Sequence, residues 1–162
     1  MVLLLPSGIG GGRERDSMHR LSHILVACSE LENTVRVAEI LHKQGLNPIC
    51  TSSISQCREI LAQDNVGLVF CDRYLRDGGY RDLLAAAACK STRGKVRVVL
   101  ISSVVDSEEY DAAKRSGLCE VIAAPCRPRD VEWMVIRAKR DECRRTRQLT
   151  SGTFGLSQNM AN

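Results

Sequence analysis

Aromatic residues are scarce in this 162-residue chain: two Phe, three Tyr and one Trp make up 4% of it. Any core must therefore be built from Leu, Ile, Val, Ala and Cys. Histidine is also rare, at three residues, and Pro occurs four times. Eight cysteines stand at 28, 50, 57, 71, 89, 119, 126 and 143, yet no two of them form a CxxC pair. Structural zinc sites need closer pairing, and disulfide scaffolds belong to shorter chains without a core of their own. Both are excluded, and the thiols fit a reduced, cytoplasmic protein. No apolar run approaches the roughly 20 residues that span a bilayer. Met1–Leu5 is apolar, but Pro6 and the Gly8–Gly12 stretch end it. It falls short of the roughly 7–15 apolar residues of an export signal. Charge of one sign is lacking too. Lys and Arg number 23 against 19 Asp and Glu, and a net +4 is too small to indicate a nucleic-acid binder. With 44% hydrophobic and 26% charged residues, what remains is one globular domain with tails.

Residues 1–20 read as a flexible N-terminal segment, with Met18 as an alternative start, and the patterned part runs over 21–145. His23–Ala27 is a short continuous apolar run, the mark of a strand buried on both faces. Leu31, Val35, Ala38 and Leu41 then recur at helical spacing and stop at Gly45, a suitable C-terminal cap. Residues 48–51 predict a weak second strand. Ser52, Ser53 and Ser55 offer N-caps to a helix carrying Cys57, Ile60 and Leu61. Val66–Cys71 is a third apolar run, ending abruptly at Asp72, and a polar, Gly-bearing loop (73–79) leads to a helix through Leu83 and Leu84. Strands over 96–101 and 120–123 and a helix over 107–116, closed by Gly117, follow. The last helix begins near 128–130, carries Val131, Met134, Val135 and Ala138, and turns basic over 137–147. Residues 146–162 read as a disordered tail. Five strand–helix units with short connections imply an α/β fold, (βα)5, with a doubly wound five-stranded parallel sheet. Function in such sheets sits at the carboxyl ends of the strands. Those ends are Cys28–Glu30, Asp72–Tyr74, Ser102–Ser103 and Ala124–Pro125.

Val69-Phe70-Cys71-Asp72 followed by Leu75-Arg76-Asp77-Gly78-Gly79 resembles the phosphoacceptor segment of a response-regulator receiver domain. Ser102 stands thirty residues on, where that family places its switch Ser or Thr. Ala124-Pro125 stands where the family has Lys-Pro, and Ile24–Glu30 aligns with its first strand and acidic pair. The resemblance covers residues 22–142 and implies a flavodoxin-like fold, Asp72 as phosphoacceptor and Ser102 as switch. Cys28, Ser29, Glu30, Tyr74, Ala124 and Pro125 would edge that site, with Pro125 following a cis peptide bond. It also implies a signalling domain and not an enzyme. The partner would be a sensor histidine kinase or pathway effector, with neither membrane nor nucleic acid involved.

The departures matter equally. A receiver takes a phosphoryl group with the help of Mg²⁺, a hard cation that wants oxygen ligands including a further carboxylate. Here Cys28 and Ser29 stand where the acidic pair belongs, Ala124 replaces the Lys, and Val121 falls where the switch aromatic belongs. Loop position Arg76 replaces Pro. The leading expectation is a stand-alone, degenerate receiver that acts by protein–protein contact, without a cofactor unless the site still binds Mg²⁺. A working phosphoacceptor using Glu30 is the first alternative, and a small flavodoxin-like ligand-binding module the second. No Gly-rich phosphate loop follows the first strand, which counts against the latter. Asp72 could also simply cap its loop, Cys28, Cys71 and Cys126 could fill the core, and Trp133 could be an anchor or a core residue.

Overall fold

A computed structural model of the chain describes residues 23–63, 65–89, 95–104 and 106–152, the last four by backbone alone. The expected N-terminal segment, the alternative start at Met18 and the end of the expected tail (153–162) lie outside the described residues. The chain runs β1 (His23–Ala27), α1 (Leu31–Lys43), β2 (Ile49–Thr51), α2 (Ile54–Gln63) and β3 (Val66–Asp72). It continues β4 (Tyr74–Leu75), β5 (Gly78–Gly79), α3 (Tyr80–Ala88), β6 (Arg97–Ser102), α4 (Ser107–Arg115), β7 (Glu120–Ala123) and α5 (Pro128–Gly152).

Five strands pair in parallel in the order β2-β1-β3-β6-β7. The expected doubly wound sheet is the one observed. Its three central strands, β1, β3 and β6, carry continuous apolar runs because both faces are covered. Alternate residues supply two separate cores. Ile24, Val26, Phe70, Val99 and Ile101 meet α1 and α5, whereas Leu25, Val69, Cys71, Val98 and Leu100 meet α2, α3 and α4. Gly45 (φ 73°) and Gly117 (φ 107°) close α1 and α4 in the left-handed region, where a Cβ is strained. Among the described residues no helix is long and apolar enough to cross a membrane.

Three expectations need correction. The phase of α1 differs from the stripe read at Leu31, Val35, Ala38 and Leu41. Asn33, Val37, Ile40 and Leu41 face inward, while Leu31 and Val35 are 77% and 45% exposed. Both stripes have helical spacing, and the neighbours β1 and α5 select between them. The segment after Asp72 is not an open loop. Tyr74–Leu75 and Gly78–Gly79 pair as a small antiparallel hairpin. Finally, α5 does not stop at 145 but runs to Gly152, so the first part of the expected tail is helical.

Candidate functional site

The strand order reverses at β1 and β3, which leaves a crevice beyond their carboxyl ends. Asp72 closes β3 there and is 5% exposed. Four neutral groups surround its carboxylate. Asn33 Nδ2 donates to Oδ1 at 2.8 Å, and the Glu30 backbone N–H donates to Oδ2 at 3.0 Å. The Ser29 hydroxyl reaches Oδ2 only at 3.5 Å and gives its main bond, 2.7 Å, to the Tyr74 carbonyl. The Cys28 thiol lies against the same carboxylate, and burial, followed by the Asp72 charge, pushes its pKa up. Glu30 is the N-cap residue of α1, and no hydrogen bond of its own side chain caps the helix. Asp72 therefore supplies a cap across 42 residues of sequence, and its negative charge meets the positive end of the α1 dipole.

Of the residues expected at the site, Cys28, Ser29, Glu30 and Asp72 come together. Tyr74 contributes its carbonyl, while its side chain is 70% exposed. Ser102 closes the neighbouring strand β6, and its hydroxyl donates to the Val104 carbonyl at 2.8 Å. The Ala124 N–H is tied to the Ser102 carbonyl at 3.0 Å, and the Ala124–Pro125 peptide is cis, as the resemblance implies. Arg73 turns out of the site. Its guanidinium pairs with Glu109 at the start of α4 and donates to the Val104 carbonyl at 3.4 Å. Val121 is half-buried on β7 and packs against the α2–α3–α4 core.

Asn33 is the site residue that sequence reasoning misses. A signal existed: it is the polar member of the inward α1 stripe with Val37, Ile40 and Leu41. Choosing the stripe through Leu31 hid it. A buried amide on an otherwise apolar stripe needs a partner, and Asp72 is that partner.

A second carboxylate acts nearby in the same way. Asp77, at the tip of the hairpin, accepts the Ile54 N–H at 2.5 Å, the Ser55 N–H at 3.0 Å and the Ser55 hydroxyl at 2.5 Å. The Ser55 hydroxyl, with the two backbone N–H groups of α2, lowers its pKa to about 2. Of the serines expected to cap α2, Ser53 does so through Gln56 N–H at 3.2 Å. Gly78 beside Asp77 leaves no room for a side chain. A Cβ would stand 2.7 Å from Asp82 Oδ2, the oxygen that accepts the Gly79 N–H.

Cys28 and Cys126 lie in one core and Cys71 in the other, all fully or almost fully buried. Burial pushes the Cys71 thiol up, and the Cys126 thiol to about 11 despite the charge of Arg36. Thiolates are the reactive species, so these three are core residues.

No family model matches the sequence, and no curated protein does. Solved structures do match. The signal receiver domain of an HD domain-containing protein from Pseudomonas fluorescens Pf-5 superposes with TM-score 0.68 at 17% identity, over 79% of this chain and 93% of that one. The signal receiver domain of a putative Luxo repressor protein from Vibrio parahaemolyticus gives 0.67 at 10% identity, over 83% and 98%. A CheY-like response regulator receiver domain protein from Methanospirillum hungatei JF-1 gives 0.65 at 16%, over 76% and 97%. At such identities the likeness is one of fold, and it agrees with the sheet order: the chain has the receiver fold of response regulators.

Proposed function

We propose that the chain is a degenerate receiver, a signalling module of two-component or phosphorelay type that acts by protein contact and not by turnover at Asp72. One observation carries this reading. Both carboxylate oxygens of Asp72 are engaged by neutral donors, Asn33 Nδ2 and the Glu30 N–H, in a nearly closed pocket. A phosphoacceptor needs an oxygen open to an incoming phosphoryl group, a cation to offset phosphoryl charge, and a carboxylate-rich site for Mg²⁺, whereas Asp72 is 5% exposed. The groups around Asp72 do not suit that metal. Cys28 is a soft, protonated thiol, Ser29 carries no charge, and Asn33 turns its N–H₂ towards the carboxylate. Ala124 offers no charge where the receiver resemblance expects Lys. Ser102 is committed to the Val104 carbonyl just after its own strand, and Arg73 is committed to Glu109 in the first turn of α4. The site thus fixes one conformation, and signalling is set by the abundance of the protein and its binding to a kinase or effector in a reducing cytoplasm.

Incubation with acetyl phosphate and Mg²⁺, read by intact mass, tests this. The expected mass is unchanged. A single phosphoryl adduct that disappears in Asp72→Asn would overturn the reading and restore the phosphoacceptor role.

A further inference from the structure

The last helix is longer than the fold requires. Its buried residues are Val131, Met134, Val135 and Ala138. Beyond Ala138 the helix continues for fourteen residues, about 21 Å at 1.5 Å per residue. None of the described side chains over 139–148 is buried. Arg97 on β6 pairs with Asp141, and Arg145 donates to the Lys95 carbonyl just before that strand at 3.5 Å.

The helical repeat places Arg129, Trp133, Ile136, Arg140, Arg144 and Arg147 on the outward side, opposite the four core residues. Trp133 is 50% and Ile136 46% exposed, and a cavity of about 470 Å³ lies beside them, lined also by Arg129, Asp130 and Glu132, so the positive charge of the stripe is concentrated beyond it at Arg140 and Arg144. The carboxylates of α5 lie mostly off this stripe. Asp141 is held by Arg97, Asp130 and Glu142 are half-buried, and Glu132 flanks Trp133 on the side away from Arg144. The flanking cation Arg137 is directed to Glu120 at 3.7 Å. The outward stripe is therefore two apolar side chains between arginines.

We propose that this stripe is a docking surface for an acidic amphipathic helix of another protein, with apolar residues against Trp133 and Ile136 and carboxylates against Arg140 and Arg144. The inference rests on the reading that this chain works by protein contact, and it names the chemistry of the partner. Trp and Arg are the residue types that dominate such contacts. Charge selects the occupant. A second copy docked by the same stripe about a two-fold axis would set arginine against arginine. A nucleic acid would satisfy the arginines but leave Ile136 without an apolar partner.

Trp133 is the only tryptophan in the chain, so its emission reports occupancy directly. The probe is a synthetic helical peptide of about 20 residues with Leu at i, i+3, i+4 spacing and Glu elsewhere. It is titrated into the full chain at low salt. Saturable binding with a blue shift of Trp133 is expected. A double variant, Arg140→Glu with Arg144→Glu, is expected to weaken binding at least tenfold. A peptide with Lys in place of Glu should bind that variant and not the parent. These substitutions are on a solvated surface, so circular dichroism should be unchanged. Equal binding of the Glu and Lys peptides, a double variant that binds like the parent, or tighter binding to a 20-base-pair duplex would each overturn the proposal. The phosphorylation assay fails or succeeds independently: an adduct on Asp72 would sink the degenerate reading and leave this docking result standing.

Discussion

Asp72 and Asp77 stand five residues apart and do related work in different surroundings. Asp72 ends β3 and accepts from the first turn of α1; Asp77 sits on the hairpin and accepts from the first turn of α2. Each joins the segment after β3 to a helix distant in sequence. Asp72 is buried, and a neutral amide completes its bonding, whereas Asp77 is exposed and draws on two backbone N–H groups and a hydroxyl. Asp72, which resembles a phosphoacceptor, thus has a mechanical role of its own. In this crevice a carboxylate is worth having as a clip between β3 and α1, whether or not it ever meets phosphorus.

The strongest way to break this comparison is to remove the buried member. Asp72→Ala leaves the buried Asn33 amide and the part-buried Glu30 N–H without their acceptor, and is expected to cost about 2–3 kcal/mol in urea unfolding. A second carboxylate in the pocket would instead make removal of Asp72 stabilising, through relief of repulsion. A gain in stability would therefore end the clip interpretation. Next in size is Asn33→Ala, expected to cost about 1–2 kcal/mol, most of which should vanish in an Asp72→Ala background. Additive losses would show that the two residues do not act together.

Asp77→Ala should lower the melting temperature less than either, and its signature is in pH. The folded-state value is about 2, below the ordinary carboxylate value of roughly 3.9 in an unfolded chain. The stability it contributes is fully present above the unfolded value and is lost as pH falls through about 2. The variant should therefore lose the part of the acid-unfolding slope between roughly pH 4 and 2 that Asp77 supplies. An unchanged slope would mean the hairpin does not hold α2 in solution. The smallest effect is expected from modifying surface thiols. Cys50, Cys89 and Cys143 should react with a thiol reagent in the native protein without loss of fold, while Cys28, Cys57, Cys71 and Cys126 stay protected until unfolding. Rapid labelling of Cys28 in the native state would show that the crevice opens.

Much of the fold was legible because it is written in short stretches. Continuous apolar runs announced the three central strands β1, β3 and β6, Gly45 and Gly117 announced two helix ends, and Asp72 stood out as the one charge closing an apolar run. The hairpin was not legible. Its four paired residues include two glycines and have no side-chain alternation to read. Nor was the phase of α1, since Leu31 and Val35 make an apolar stripe as regular as the one that is buried.

By itself, then, the sequence determined the order of the elements, the parallel sheet and the position of Asp72 at a strand end, because each depends on residues a few places apart. The partners of that carboxylate were decided by the tertiary structure. Asn33 and Glu30 lie 39 and 42 residues from Asp72, and Asp77 lies 22 and 23 from the amides it caps. Hydrogen bonds across such separations carry no periodic signal, since nothing but the closing of the sheet brings the groups within reach. The same closing turned a residue that resembles a phosphoacceptor into the anchor of α1.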